Sequence, residues 1–298
     1  MEGRVENRAI MRLTVEAHLL RLCVMAASFI ANIFIARLLG PEGKGVLANV
    51  SFWAGLAGSL LTFGLESTGV FYVGESTSRF PRLTRFMLVW AVAASAVGLA
   101  GLFGASPFVD FLRGQTRLIL VCAGLVLSHL ITGLLNAIYI GAGALSLTNR
   151  VSAVRGALYL GVVLVLFSFR LADVWLLLLG ILGGNMATSL YMAGRALRVP
   201  RPADVQPLRW PEFFGYATKV FAGSLSIIAY SNGNFMILSL LCSAREAGIY
   251  SVAKIFADML LILPSTLASI LIPEMARTPS DGAAVRVSET TRYATAAG

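Results

Sequence analysis

The chain has 298 residues, of which 57% are hydrophobic and only 13% charged, with a formal net charge of +9. Soluble domains carry roughly 25% charged residues, and a water-soluble chain of this size cannot hide so much apolar surface, so the composition specifies an integral membrane protein. The positive charge does not mark a nucleic-acid binder, because Lys and Arg fall between apolar stretches and no basic-aromatic motif occurs.

Crossing a bilayer takes about 20 mostly apolar residues in a helix, and such runs recur along the sequence. The first covers 17–39. It exceeds a secretory signal core and no small-residue cleavage site follows it, so it is an anchor. The turn Gly40-Pro41-Glu42-Gly43-Lys44-Gly45 leads into a second run over 46–73. Six more follow at 83–105, 118–142, 152–168, 174–193, 216–241 and 249–272. Between the sixth and seventh, residues 194–215 contain Pro200, Pro202, Pro207 and Pro211 and read as a bent, exposed linker. The polar stretch 273–298 begins no further span that continues, so the chain reads as truncated.

Basic residues sort by side. One set of connections collects Arg4, Arg8, Arg12, Arg79, Arg82, Arg85, Arg150, Arg155, Arg195, Arg198, Arg201, Arg209, Lys219, Arg277, Arg286 and Arg292; the opposite set holds only Arg37, Lys44, Arg113, Arg117, Arg170 and Arg245. Basic residues accumulate on the cytoplasmic side, which places the amino terminus in the cytoplasm. Cys23, Cys122 and Cys242 lie far apart, all inside apolar segments, with no metal-ligand spacing, so neither disulfide, metal nor cofactor is expected.

A shift of 203 positions superposes the first helix pair on the seventh and eighth. Leu38 falls on Leu241, Gly45 on Gly248, Val46 on Ile249 and Leu47 on Tyr250. Units six spans apart share an orientation, as parallel repeats do. The expected fold is therefore all-α, a polytopic membrane helical bundle: a six-helix lobe over 1–200, a cytoplasmic linker over 201–215, and over 216–298 the first two helices and following cytoplasmic segment of an incomplete second lobe.

Four pieces of sequence stand out: the segment 34–45 around Arg37-Leu38-Leu39-Gly40-Pro41, the segment 246–253 beginning Glu246-Ala247-Gly248-Ile249-Tyr250, Leu263-Pro264, and Ile272-Pro273-Glu274. On these the chain resembles the polysaccharide transporter, or oligosaccharide flippase, family of the multidrug/oligosaccharidyl-lipid/polysaccharide exporter superfamily. The resemblance implies two six-helix lobes around a central cavity, alternating access, and movement of undecaprenyl-diphosphate-linked oligosaccharide to the outer leaflet of a bacterial cytoplasmic membrane for cell-surface polysaccharide assembly. It implies no enzymatic activity and no cofactor; a polysaccharide polymerase is a candidate partner. Where many relatives carry an Asp followed by a basic residue in the seventh helix, this chain reads Asn232-Gly233-Asn234-Phe235.

A carrier of a diphosphate-linked sugar needs cations for the anion, amides and hydroxyls for the sugar, and a path for the lipid tail. Charge at mid-bilayer costs roughly 2.5–3.5 kcal/mol on insertion scales, so each charged residue there asks for a reason. Arg21 lies near the cytoplasmic mouth, as a snorkelling helix-end residue or as a contact for phosphate. Lys254 and Asp258 are spaced i,i+4 on one helix face. They either neutralise each other or serve as phosphate contact and ion-coupling carboxylate, with Pro264 beyond them as a kink. Glu66, near the cytoplasmic end of the second helix, is a solvated rim residue or a second coupling carboxylate. Asn32, Tyr230 and Asn234 are candidate sugar contacts, and His129, Thr132 and Asn136 share a face of the fourth helix; interhelical hydrogen bonding is the competing role for all of them. Gly133, Ala137 and Gly141, and Gly180 with Gly184, form small-residue stripes for close helix contact. Arg79, Arg82 and Arg85 form a basic cytoplasmic loop that sets orientation and meets anionic lipid.

Enzyme signatures are missing: no nucleophile elbow, no HExxH, and no Walker lysine. A drug exporter of the same superfamily, a membrane sugar polymerase or ligase, and an inactive shortened copy are the alternatives to a flippase.

Overall fold

A computed structural model describes residues 2–107, 114–200 and 206–260, except for the side chains of 2–22, 105 and 259. Its described residues form eight helices and no strand: α1 (Glu2–Leu61), α2 (Leu65–Glu75), α3 (Phe80–Ala105), α4 (Thr116–Gly141), α5 (Leu145–Ser168), α6 (Val174–Leu197), α7 (Trp210–Leu241) and α8 (Ala244–Leu260). Six apolar segments are long enough to cross a membrane, which makes the chain a polytopic helical bundle. The first two expected spans fall in one continuous segment, Cys23–Leu61, and the eighth lies partly outside the described residues. Two compact units divide the chain, 1–251 and 252–298.

Helix α1 folds back on itself at Gly40, whose φ of 66° and ψ of −177° are non-helical. Lys44 donates to Asn32 Oδ1 across that turn. Twelve residues of straight helix would hold the two about 18 Å apart, so residues 2–39 and 41–61 are antiparallel arms.

The second expected span is broken where the sequence suggested continuity. Phe63 (φ 49°) and Gly64 (φ 71°) are consecutive left-handed residues, and α2 begins just after them. A left-handed phenylalanine is costly, of order 1–3 kcal/mol, and persists only where its surroundings hold it. Here the Trp90 Nε1–H of α3 donates to the freed Leu61 carbonyl at 2.9 Å, while the Phe63 ring lies against Phe221 and Trp90. Trp90→Phe keeps the ring but orphans that carbonyl, so it is expected to cost about 1 kcal/mol in a thermal or denaturant melt of the chain in micelles.

Helix α4 is the centre of the first unit and packs against α1, α2, α3 and α6. In a bilayer, lipid is as apolar as leucine, so helices associate through close approach rather than through hydrophobic burial. The small-residue stripe of α4 does this against α2: Gly133 lies under Glu66, Ala137 under Gly69, and Gly141 against the Val70 backbone and Val73.

Helix α7 runs antiparallel along the broken second span. Phe213 meets Tyr72, Phe221 meets Phe63, and Phe235 meets Phe52, while Trp53 Nε1–H donates to Ser239 Oγ at 3.1 Å. Only the two ends of α7 are buried, at Phe213 and Ala217 and again at Phe235 and Ser239; residues 222–234 contribute none.

The turns at Gly40 and at Cys242–Ser243 meet in reciprocal contact. A Cβ on Gly45 would strike the Ala244 carbonyl, and one on Gly248 would strike the Pro41 carbonyl. Pro41 and Gly45 correspond to Ala244 and Gly248 under the 203-residue shift. Each side thus offers the other the same pair of positions, as in an isologous contact. Ser243 and Glu246 close a capping box at the start of α8, with the Ser243 amide donating to Glu246 Oε2 at 2.8 Å and the hydroxyl at 2.9 Å. These bonds hold the exposed Glu246 carboxyl below its ordinary range.

Candidate functional site

The sequence candidates fall in different places. Arg21 is on the first arm of α1, but its side chain lies outside the described residues. Asn32 is half-buried and doubly engaged: Oδ1 accepts from Lys44 and Nδ2 donates to the Ser28 carbonyl at 2.8 Å. Lys254 and Asp258 come together as expected, with Nζ 2.9 and 2.8 Å from the two carboxylate oxygens and the side chains 40% and 55% exposed. Tyr230 is 88% exposed and Asn234 is exposed one turn further along α7. Glu66 is half-buried in the first turn of α2, resting on Gly133.

Two cations that the sequence counted with the connections are inside the bundle. Lys44 was assigned to an outer turn and is 5% exposed, with Asn32 as its hydrogen-bond acceptor. Because α5 begins at Leu145 rather than 152, Arg150 joins the helix, and Arg155, within the expected span but counted with the connection before it, lies well inside it. Arg155 is ten residues from the helix start, about 15 Å along its axis. The left-handed Gly143 turn, a common helix stop, is the signal that marks the earlier start.

Helix α4 separates its three polar candidates. Thr132 Oγ1 is 2.7 Å from Ser189 Oγ of α6, a buried pair further tied to the Ser128 carbonyl. Asn136 Oδ1 is buried without a hydrogen-bond partner among the described residues. His129 lies against Gly58 of α1 and is exposed although its helix is the most buried of the candidate spans.

The basic loop is solvated only in part: Arg82 and Arg85 are exposed, whereas Arg79 is buried. Arg79 is 8% exposed; its guanidinium donates to Glu75 at 2.5 Å, to the Tyr72 carbonyl at 3.4 Å and to Gln206 Oε1 at 3.4 Å, and lies 5.6 Å from the Tyr72 ring centre. The Gln206 amide donates to Ser78 Oγ at 3.2 Å. Arg82 lies 5.6 Å from the Trp210 ring centre, and Leu208 is buried. Residues 206–210 are therefore tied to the end of α2 and the start of α3, while Gln206, Pro207 and Arg209 remain exposed.

This is a helical bundle with charged and amide side chains set into membrane-length helices. Among the described residues it holds no cluster of acidic, His and Cys side chains able to ligate a metal. Residues 34–296 match the family described as polysaccharide biosynthesis protein. The chain belongs to that family. No curated protein and no solved structure matches it significantly. The family match spans both reciprocally packed turns, the Lys254–Asp258 pair and the Arg79 staple, so these features belong to a multi-pass membrane protein of polysaccharide biosynthesis.

Proposed function

We propose that the chain is a carrier that moves lipid-linked, diphosphate-bearing oligosaccharide from the inner to the outer leaflet of a bacterial cytoplasmic membrane, with its amino terminus in the cytoplasm. It supplies surface-polysaccharide assembly, with a polymerase as downstream partner, and performs no covalent chemistry itself. The observation that carries this reading is the reciprocal contact of Pro41 and Gly45 with Gly248 and Ala244. Equivalent positions meeting each other is what two parallel lobes related by an axis along the membrane normal would produce. Residues 1–200 form the first lobe, 201–215 the connection, and 216–298 the start of the second.

Within that frame Lys254 meets the anionic headgroup and Asp258 exchanges a coupling ion. An ion pair set in an otherwise apolar helix lowers its own insertion cost, and it opens when an anion competes for the lysine. Arg21, Asn32, Tyr230 and Asn234 provide further headgroup and sugar contacts, and Glu66 is a second coupling carboxylate. Replacing both members of the pair, Lys254→Gln with Asp258→Asn, removes charge without opening a cavity. The double variant is expected to reach the membrane in normal amount and to lose most surface polysaccharide. Normal polysaccharide in that variant would remove the pair from the mechanism.

A further inference from the structure

Arg155 asks for a reason to be where it is. It stands about 15 Å into α5, half-buried, and has no hydrogen bond or ion pair among the described residues, whose ion pairs are Glu75–Arg79, Arg209–Glu212 and Lys254–Asp258. An arginine at that depth is costly to insert, so an unpaired one points to a partner that arrives from outside the fold.

The surroundings say what the partner is. His129 is twelve residues before the end of α4 at Gly141, about 18 Å along the helix, which matches the depth of Arg155. Gly58 leaves room for its ring, and the ring remains exposed. Gly156, the next residue of α5, rests on Val24 of α1, so Arg155 is held at the level of the first arm. Gly58 lies eighteen residues past the Gly40 turn and Val24 sixteen before it, so the α1 neighbours of His129 and of Gly156 stand at nearly one level of the folded-back helix. Glu66, on Gly133 one turn further along α4, supplies negative charge on the same side of that helix. An arginine and a histidine at one depth, open on one side, form an anion-binding arrangement.

We infer that Arg155 and His129 form a phosphate- or diphosphate-binding site inside the first lobe, separate from the Lys254–Asp258 pair. It deepens the carrier reading by giving the headgroup a contact in the first lobe as well as one on α8. The guanidinium fork takes two oxygens of the anion and the imidazole donates to a third.

The test is titration of the purified chain in micelles with two probes, inorganic diphosphate and a polyprenyl diphosphate. The wild-type chain is expected to bind at least one. Binding of inorganic diphosphate identifies a free-anion site, and binding of the polyprenyl diphosphate alone identifies a lipid headgroup site; either supports the assignment. Arg155→Gln is expected to weaken binding about tenfold or more, the usual loss for a charge-assisted hydrogen bond. His129→Gln weakens it less, and Arg155→Lys retains part of it. A thermal melt of each variant checks the fold, and His129→Gln carries the test if Arg155→Gln does not fold. Wild-type affinity in both Arg155→Gln and His129→Gln, or no binding of either probe to the wild-type chain, overturns the site. That result would leave the carrier reading standing, because surface polysaccharide judges it separately.

Discussion

Gly45→Ala and Gly248→Ala are each expected to destabilise the chain strongly. The added methyl meets backbone in both cases, the Ala244 carbonyl for Gly45 and the Pro41 carbonyl for Gly248. Flexible side chains give way to an intruding methyl; two helix starts held by their own hydrogen bonds do not. Overfilling a close contact costs typically about 1–3 kcal/mol, and these positions belong at the upper end. The double variant should cost less than the sum, because either methyl alone forces the two turns apart and the second then has room. Denaturant or thermal melts in micelles check both points. Additive losses would mean that the two glycines do not share one contact.

Arg79→Met is the second large effect. The arginine is the hub that joins the end of α2 to the segment leading into α7: Glu75, the Tyr72 carbonyl and Gln206 all accept from it. Breaking a buried ion pair by removing one partner costs about 3–5 kcal/mol. Glu75 is 55% exposed and can turn to water, so the expected loss here is about 2 kcal/mol, after discounting for screening. Arg79→Lys should restore little of it, since one ammonium cannot reach three acceptors on two segments as a planar fork does. Gln206→Ala should cost less than Arg79→Met, because it removes one acceptor and leaves Glu75 in place. Stability of Arg79→Met equal to the wild type would show that the staple is a passive contact.

Much of this architecture was legible in the residues. Apolar run lengths located the six membrane-length segments of the described residues, and the turn at Gly40 was readable from Gly-Pro followed by two more glycines. The small-residue stripe of α4 announced its close neighbour, and the i,i+4 spacing of Lys254 and Asp258 announced their pairing. What was hidden depends on contacts distant in sequence. The break at Phe63–Gly64 needs Trp90, twenty-nine residues away, to cap Leu61; a single glycine in an apolar run does not reveal it. Polar residues at 149 and 150 made α5 look shorter than it is, which put Arg155 near the start of the expected span and grouped it with the connection before it. Arg79 looked like a surface cation because its partner Gln206 is 127 residues further along the chain. Sequence charge counts treat every arginine as solvated, and only tertiary contacts tell a buried one from a loop residue.

The central claim is that this chain carries a diphosphate-linked sugar across the bilayer. Reconstitution into vesicles bearing a fluorescent lipid-linked oligosaccharide, quenched by a membrane-impermeant reagent, tests it most directly. The account predicts that vesicles holding the chain expose their inner-leaflet pool to the quencher over time, and that the Lys254→Gln, Asp258→Asn variant slows this exposure. Quenching that stops at the same outer fraction as in protein-free vesicles would contradict it.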